Sequence, residues 1–506
     1  MHRVDPNADA QWPRLSEFIA ERMGLHFPRE RLADLQRGLA AAAKDFGFDD
    51  PAACADWLMT APLTRAQLQV LASHLTVGET YFFREPNTFE ILANHVLPDL
   101  IRARRGCEQR LRLWSAACAS GEEAYSLAIL LHQALPDLAA WHVTILATDI
   151  NPRFLRKAVA GAYSDWSFRG VPRGFRERYF DRTSDGRYAI RPELRRMVTF
   201  EHLNLVEDVY PSLATDTNAM DVIFCRNMLM YFAPAQIRKV VGNFGHSLIA
   251  GGWLVVAPGE TSQALFQDFA TVSFPGVILY RKAPVATAWP PVSPPMAVAL
   301  SGPPPPVPAV PPPAVPSAPA VPESAVAHTA PTSRAAAASL YHQGRYGDAA
   351  EALQTLSAGC TPERDVLSLL VRALANQGRL VDALAWCDRW IASYKLDAVA
   401  YYLRAVVLME SGKPDEARRS LLQTLYLEAD FVLAHFALGN LARTRGKGDE
   451  AYKHFGNTLR ILNRVRSEDE LPESEGLTAG RLKDTIIALI SVGTDEEQRQ
   501  PRHDHA

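Results

Sequence analysis

Residues 111–126 read Leu111-Arg112-Leu113-Trp114-Ser115-Ala116-Ala117-Cys118-Ala119-Ser120-Gly121-Glu122-Glu123-Ala124-Tyr125-Ser126. A short apolar run, Leu111–Ala116, gives way to a turn of small residues and then to an amphipathic stretch, Ala124–Leu135. Strand, small-residue turn and helix is the unit with which doubly wound α/β sheets bind adenosyl cofactors, because small residues let the backbone approach the ligand. Here Ala and Ser replace most of the glycines of a GxGxxG turn. A pyrophosphate needs free N–H groups at the helix N-terminus, yet this helix opens on Glu122 and Glu123. Two acids repel a pyrophosphate and suit a cation or ribose hydroxyls. That favours a phosphate-free cofactor such as S-adenosylmethionine over NAD.

Outward from this unit the alternation continues. Apolar runs at Val143–Ala147, Val198–Leu203, Val222–Cys225 and Trp253–Ala257 are separated by helical segments such as Ala235–Leu248. That helix is expected to start at Pro234 and stop at Gly251-Gly252. Strands alternating with helices imply a mostly parallel, doubly wound sheet. Val272–Tyr280, broken by Pro275-Gly276, reads as a terminal antiparallel pair. The stretch 161–196 is too long for a plain crossover. Its Ser184-Asp185-Gly186 between aromatic runs predicts a hairpin, so it reads as an insertion that carries a specific surface.

On the N-terminal side, residues 12–76 show helical spacing: Leu15, Phe18, Ile19 and Met23 share one face, and Leu32, Leu35 and Leu39 another. On the C-terminal side, 17 of the 36 prolines fall between Pro284 and Pro331, and the stretch from Ala283 to Pro322 carries no charge. Residues 283–333 therefore read as a Pro/Ala-rich linker in extended polyproline II, a spacer of up to ~150 Å at ~3.1 Å per residue. Beyond it, Gly344, Gly378, Gly412 and Gly446 recur every 34 residues. Five residues after each comes Ala349, Ala383, Ala417 or Ala451, always preceded by an acid. A helix, a glycine stop and a second helix packed through a small alanine fit that period. Residues 334–463 thus resemble four tetratricopeptide repeats. Residues 464–506 are expected to hold a capping helix near Gly480–Ile490 and a disordered tail.

Composition removes several classes. The net charge of −3 argues against phosphate-driven binding of nucleic acid. No two of the six cysteines have CxxC spacing, so neither a zinc ribbon nor a thioredoxin motif is supported, and no metal is expected. Cys118 and Cys225 read as inert packing residues. The N-terminus lacks an apolar signal segment and no window reaches ~18 apolar residues, so a cytoplasmic protein without direct membrane insertion is expected.

Chemistry concentrates at the strand ends. Asp149, in Ala147-Thr148-Asp149-Ile150-Asn151, either accepts both ribose hydroxyls or caps the helix that starts near Pro152. Arg226 and Asn227 follow the fourth run. A buried arginine there needs a carboxylate, either on a ligand or in a structural pair with Asp149 or Asp221. Before the sheet, Thr76-Val77-Gly78-Glu79-Thr80-Tyr81-Phe82-Phe83-Arg84 reads either as a helix start anchored by aromatics or as a lid over the cofactor.

That nonapeptide, the Trp114–Ser126 segment, Ala147–Ile150, Asn204-Leu205 and Ile223-Phe224-Cys225-Arg226-Asn227 through Tyr231-Phe232 occur in order. Over about residues 12–282 the chain resembles the CheR family, the chemotaxis-receptor glutamate methyltransferases. The resemblance implies a class I S-adenosylmethionine-dependent methyltransferase sheet over 77–282, a small all-α N-terminal domain and a β-subdomain insertion, followed by the all-α repeat solenoid. It implies S-adenosylmethionine contacts at Thr80, Arg84, Glu123, Asp149, Asn204, Leu205, Arg226 and Asn227, with Glu123 preferred to Glu122. It implies methyl ester formation on glutamates of a methyl-accepting chemotaxis-type receptor. A glutamate carboxylate, pKa ~4.3, is already ionised at pH 7, so positioning and partial desolvation suffice without a general base. Arg84 and Tyr231 are the residues expected to orient it. Arg29, Arg31, Arg37 and Lys44 are candidates for receptor docking, although residues 1–74 hold eight Lys/Arg against ten Asp/Glu. The repeats are expected to bind a further signalling protein or the receptor, or to dock on the catalytic domain, and the spacer to tether the enzyme near that partner. The alternatives are a non-catalytic scaffold and a carboxyl methyltransferase for another protein.

Overall fold

Four helices open the computed structural model, which describes residues 6–283, 333–358 and 362–497. They are α1 (Pro6–Met23), α2 (Leu32–Asp45), α3 (Pro51–Thr60) and α4 (Arg65–Leu75). Local signals fix their ends: Asp50 caps α3 ahead of Pro51, and Thr64 and Gln67 form a capping box on α4. Leu15, Ile19, Met23, Leu35, Leu39 and Leu71 bury the shared face. Helices α5 (Pro86–Ile91) and α6 (Leu97–Arg104) lead into the sheet.

The alternating part runs β1 (Arg110–Ala116), α7 (Glu122–Ala134), β2 (His142–Asp149) and α8 (Pro152–Ala160). The insertion follows with β3 (Ala162–Tyr163), α9 (Phe175–Tyr179), β4 (Phe180–Arg182), β5 (Tyr188–Ile190) and α10 (Pro192–Arg195). Then come β6 (Val198–His202), β7 (Met220–Phe224), α11 (Pro234–Ser247), β8 (Leu248–Val255), β9 (Phe269–Phe274) and β10 (Val277–Lys282). The sheet order is β6-β2-β1-β7-β8-β10-β9. Its first five strands are parallel, and β9 and β10 form the antiparallel edge. Every residue of β1 is buried, as a strand covered on both faces requires. The insertion forms its own sheet, β3-β5-β4, whose hairpin turns at Gly186.

One boundary differs from the sequence expectation. Helix α11 ends at Ser247, and Gly251-Gly252 lie inside β8. Pairing passes from Met220↔Leu248 to Val222↔Trp253, so β8 bulges there, and Gly251 takes the left-handed φ of +79° that the bulge needs. A glycine pair after a helix reads as a stop signal for the helix whether it ends a helix or kinks the next strand.

Eight helices in four pairs follow: α12 (Arg334–His342), α13 (Tyr346–Leu356), α14 (Arg364–Asn376), α15 (Leu380–Ser393), α16 (Ala398–Glu410), α17 (Pro414–Leu427), α18 (Val432–Thr444) and α19 (Gly448–Leu462). Helix α20 (Ala479–Glu497) covers the end, burying Leu482 and Ile486 in the repeat core. The four periodic glycines have φ between +70° and +74° and end the first helix of each pair.

The repeats lie against the sheet domain. An added Cβ at Gly344 would stand 2.1 Å from His246, at Gly378 2.8 Å from Arg110, and at Gly412 3.1 Å from His142. Glu410 accepts from Arg110 at 3.2 Å and from Asn218 at 2.9 Å. The repeats are thus in direct contact with the sheet domain. Residues 284–332 and 498–506, which carry the linker and the tail end, lie outside the described residues. Among the described residues no helix is long and apolar enough to cross a membrane.

Candidate functional site

Strand order reverses at β1, which pairs with β2 on one side and β7 on the other, and the crevice beyond their carboxyl ends is where open sheets take ligands. A cleft opens there. Thr80, Arg84, Glu123, Asp149, Asn204, Leu205, Arg226, Asn227 and Tyr231 all line it. Met23, Phe27 and Arg31 of the N-terminal helical domain close the other wall.

The two acids of the helix start separate by face. Glu122 is buried away from the cleft and accepts from the hydroxyls of Ser120 at 2.7 Å and Ser167 at 2.9 Å. Glu123 faces the cleft, accepting from Ser115 at 2.7 Å and pairing with Arg226 at 3.2 Å. Burial pushes its carboxyl up, against the pull of Arg226 and Ser115. Asp149 ends β2 and accepts backbone N–H groups from Ala119 at 2.9 Å and Asn151 at 2.8 Å. Burial raises it to about 6 in spite of those donors. The cap of α8 is Asn151, which accepts from Arg153 and Phe154, so Asp149 is free of that duty. Arg226 pairs with Glu85 at 2.8 Å and Glu123, with neither Asp149 nor Asp221, and Asp221 pairs with Arg104. Cys118 and Cys225 are buried and their thiols are pushed far up.

The strap from Thr76 to Glu85 does two things. Phe82 is fully buried among Tyr163, Phe168 and Phe180 of the insertion, so its aromatics anchor it. Thr80 and Arg84 line the cleft, and Arg84 donates to the Glu79 carbonyl at 2.7 Å. Gly78 is fixed by close approach, since a Cβ would meet the Phe154 ring at 2.3 Å. Asn204 is buried and donates to the Arg22 carbonyl at 2.8 Å. Tyr231 lies under the Arg31 guanidinium, 5.3 Å from its ring centre, and Arg31 also covers Phe27. That places Arg31 at the cleft and leaves Arg29, Arg37 and Lys44 exposed.

Three supports escaped the sequence reading. Glu85 holds Arg226 from the far side of the strap, with a left-handed φ of +60°. Glu260 gathers the backbone N–H groups of Asn227 at 2.8 Å, Met230 at 3.2 Å and Ala257 at 3.1 Å, fixing the loop that carries Asn227 and Tyr231. Phe154 fills the space beside Gly78. Only the adjacency of Glu85 to Arg84 offered a local hint.

Two carboxylates, the buried Asp149 and the half-buried Glu123, face an apolar-walled cleft beside a helix start without a phosphate-binding glycine turn. This donor set fits a cationic, hydroxyl-bearing adenosyl cofactor. Fold and site define a class I S-adenosylmethionine-dependent methyltransferase. A family model described as the CheR methyltransferase SAM binding domain matches residues 78–277, and a tetratricopeptide repeat model matches 334–398 and 402–455. Chemotaxis protein methyltransferase 1 of Pseudomonas aeruginosa is 38% identical over 218 residues, 42% of this chain and 77% of that protein. Chemotaxis protein methyltransferase 2 of Vibrio cholerae is 36% identical over 208 residues, 41% of this chain and 70% of that protein. The crystal structure of MamA is similar over 25% of this chain and 75% of its own, with 24% identity and a TM-score of 0.24. The chain belongs to the CheR methyltransferase family and carries tetratricopeptide repeats, and its cofactor is S-adenosylmethionine.

Proposed function

We propose that this chain methylates glutamate side-chain carboxylates of methyl-accepting chemotaxis-type receptors, forming methyl esters. The observation that carries the reading is the gathering of Glu123, Asp149, Arg84 and Tyr231 around one cleft. The relatives named chemotaxis protein methyltransferases support the substrate class.

Glu123, Asp149, Asn204, Leu205, Arg226 and Asn227 would hold the cofactor, which supplies an electrophilic methyl group when bound. Arg226 fixes Glu123 and Glu85, and Glu260 fixes the backbone of Asn227. Thr80 contributes a hydroxyl from the strap. Arg84 orients the incoming carboxylate. Part of its donor capacity is spent on the Glu79 carbonyl, which limits how far it neutralises the nucleophile. Tyr231, its ring held by Arg31, presents a hydroxyl to the same carboxylate. The ionised glutamate needs no base. The N-terminal wall and the strap exclude water from the reacting oxygen. The repeats serve protein interaction.

The test is transfer of radiolabelled methyl from S-adenosylmethionine to receptors of the same cell. The expected product is label released by mild base as methanol. Label that survives base would indicate N-methylation and overturn the carboxyl assignment. Label on a non-receptor protein alone would replace the substrate.

A further inference from the structure

After the last repeat the chain turns back on the array. Residues 463–478 join α19 to α20, and Glu473, Ser474 and Glu475 lie against the first helices of the first two repeats. Arg372 of α14, 6% exposed, holds both glutamates. Its Nη2 bonds the Glu473 carboxylate and, at 3.1 Å, the Glu473 carbonyl, and its Nη1 stands 3.4 Å from Glu475. Tyr341 of α12 donates to the Glu475 carboxylate, and Asn376 donates to the Tyr341 hydroxyl at 3.0 Å.

The fit is incomplete. Arg372 Nη1 makes no hydrogen bond, and Asn376 Oδ1, in a side chain 2% exposed, has no partner. Glu473 and Glu475 both sit at left-handed φ, +63° and +56°, which side chains other than glycine avoid. The segment gives up backbone ease to deliver two carboxylates to one buried arginine. On its other side it touches the sheet domain: Ser212 donates to the Ser474 carbonyl at 3.3 Å, and the Leu213 N–H donates to Glu475 at 3.0 Å.

We propose that Arg372 and Tyr341 form a recognition site for an acidic peptide with two acidic residues separated by a single residue, and that Glu473–Glu475 fills it in cis as a displaceable stand-in. A buried guanidinium needs carboxylate partners wherever they come from, because an unpaired charge there is costly. An external peptide free of the left-handed constraint satisfies the same donors without the strain. It competes against an occupant at the high effective concentration of a linked segment, so only a well-matched acidic sequence enters. Displacement also releases Ser212 and Leu213, which links ligand binding on the repeats to the loop before β7.

The test uses the full-length chain and a fluorescent peptide of residues 470–478. Weakening the cis occupant with Glu473→Gln and Glu475→Gln is expected to tighten peptide binding at least about 10-fold over wild type. Adding Arg372→Ala is expected to abolish it, and a peptide with both glutamates changed to glutamine is expected not to bind. A second measurement needs no substitution and decides the matter if the double variant does not fold. Saturating peptide is expected to speed amide exchange at Leu213 and across 470–478 of the wild-type chain. Binding that persists with Arg372→Ala, equal binding to both chains, or unchanged exchange with the peptide in excess overturns the proposal and leaves the segment a structural clasp.

Discussion

Asp149 is the residue whose titration is most exposed to test. Burial raises it from 3.8 to about 6 although backbone N–H groups favour its charged form. An acid raised by folding holds its proton more tightly folded than unfolded. Its ionisation therefore costs stability progressively from about pH 4 to about pH 6, and above that the full cost, about 3 kcal/mol, persists. Ribose hydroxyls donating to the ionised carboxylate would offset that cost, and cofactor binding would then be coupled to loss of the proton. Calorimetric titration is expected to show constant affinity above about pH 7, weakening by about tenfold per pH unit well below 6. Asp149→Asn is expected to bind about 10-fold to 100-fold more weakly with little pH dependence. A flat wild-type profile would remove Asp149 from cofactor binding. Arg84 and Tyr231 belong to a second readout. Arg84→Ala and Tyr231→Phe are expected to lower the rate of methyl transfer about 100-fold with cofactor affinity changed far less for Tyr231→Phe. Wild-type rates in both variants would exclude them from orienting the carboxylate.

At the scale of elements, the repeat glycines separate two physical demands. All four take left-handed φ, but their surroundings differ. Gly446 has nothing within 4 Å of an added Cβ, whereas at Gly344 the Cβ would overlap the His246 ring. Gly446→Ala is expected to cost about 1 kcal/mol, the backbone term alone. Gly344→Ala is expected to cost clearly more, because His246 must move or the first repeat must lift from α11. Urea denaturation of the two variants measures the difference, and equal losses would mean the docking edge yields freely. The glycines also mark what a sequence can reveal. Their period and their place at helix ends were legible because the demand is local. Their second role was not, because His246, Arg110 and His142 approach from elements 98 to 270 residues away in the chain. The same holds in the site. Asp149 and Arg226 announce themselves at strand ends, but Glu85, Glu260 and Arg31 act through contacts that only packing creates. Gly251-Gly252 misled because a bulge and a helix stop use the same residue for the same left-handed φ.

Over the whole molecule, the repeats and the cofactor cleft lie at opposite ends of the central strands. Arg110 and His142, the first residues of β1 and β2, meet the repeat turns, whereas Ala117 and Asp149, just past or at the far ends of those strands, line the cleft. Helix α20 extends the contact to the N-terminal domain: Arg65 donates to the Arg481 carbonyl at 2.7 Å, and Arg481 pairs with Glu207. The joint's core is Glu410, buried with Arg110 and Asn218. Burial pushes its carboxyl up while Arg112 and Arg110 pull it down, and burial in turn lowers Arg110. Such a pair adds little compared with a well-packed apolar joint, but removing one member strands the other charge, at about 3–5 kcal/mol. Glu410→Ala is therefore expected to uncouple the parts. Scanning calorimetry should resolve one unfolding transition in the wild-type chain and two in the variant, with the repeats melting apart from the sheet domain. A single transition at unchanged temperature in Glu410→Ala would mean that the repeat turns and α20 hold the assembly without this ion pair.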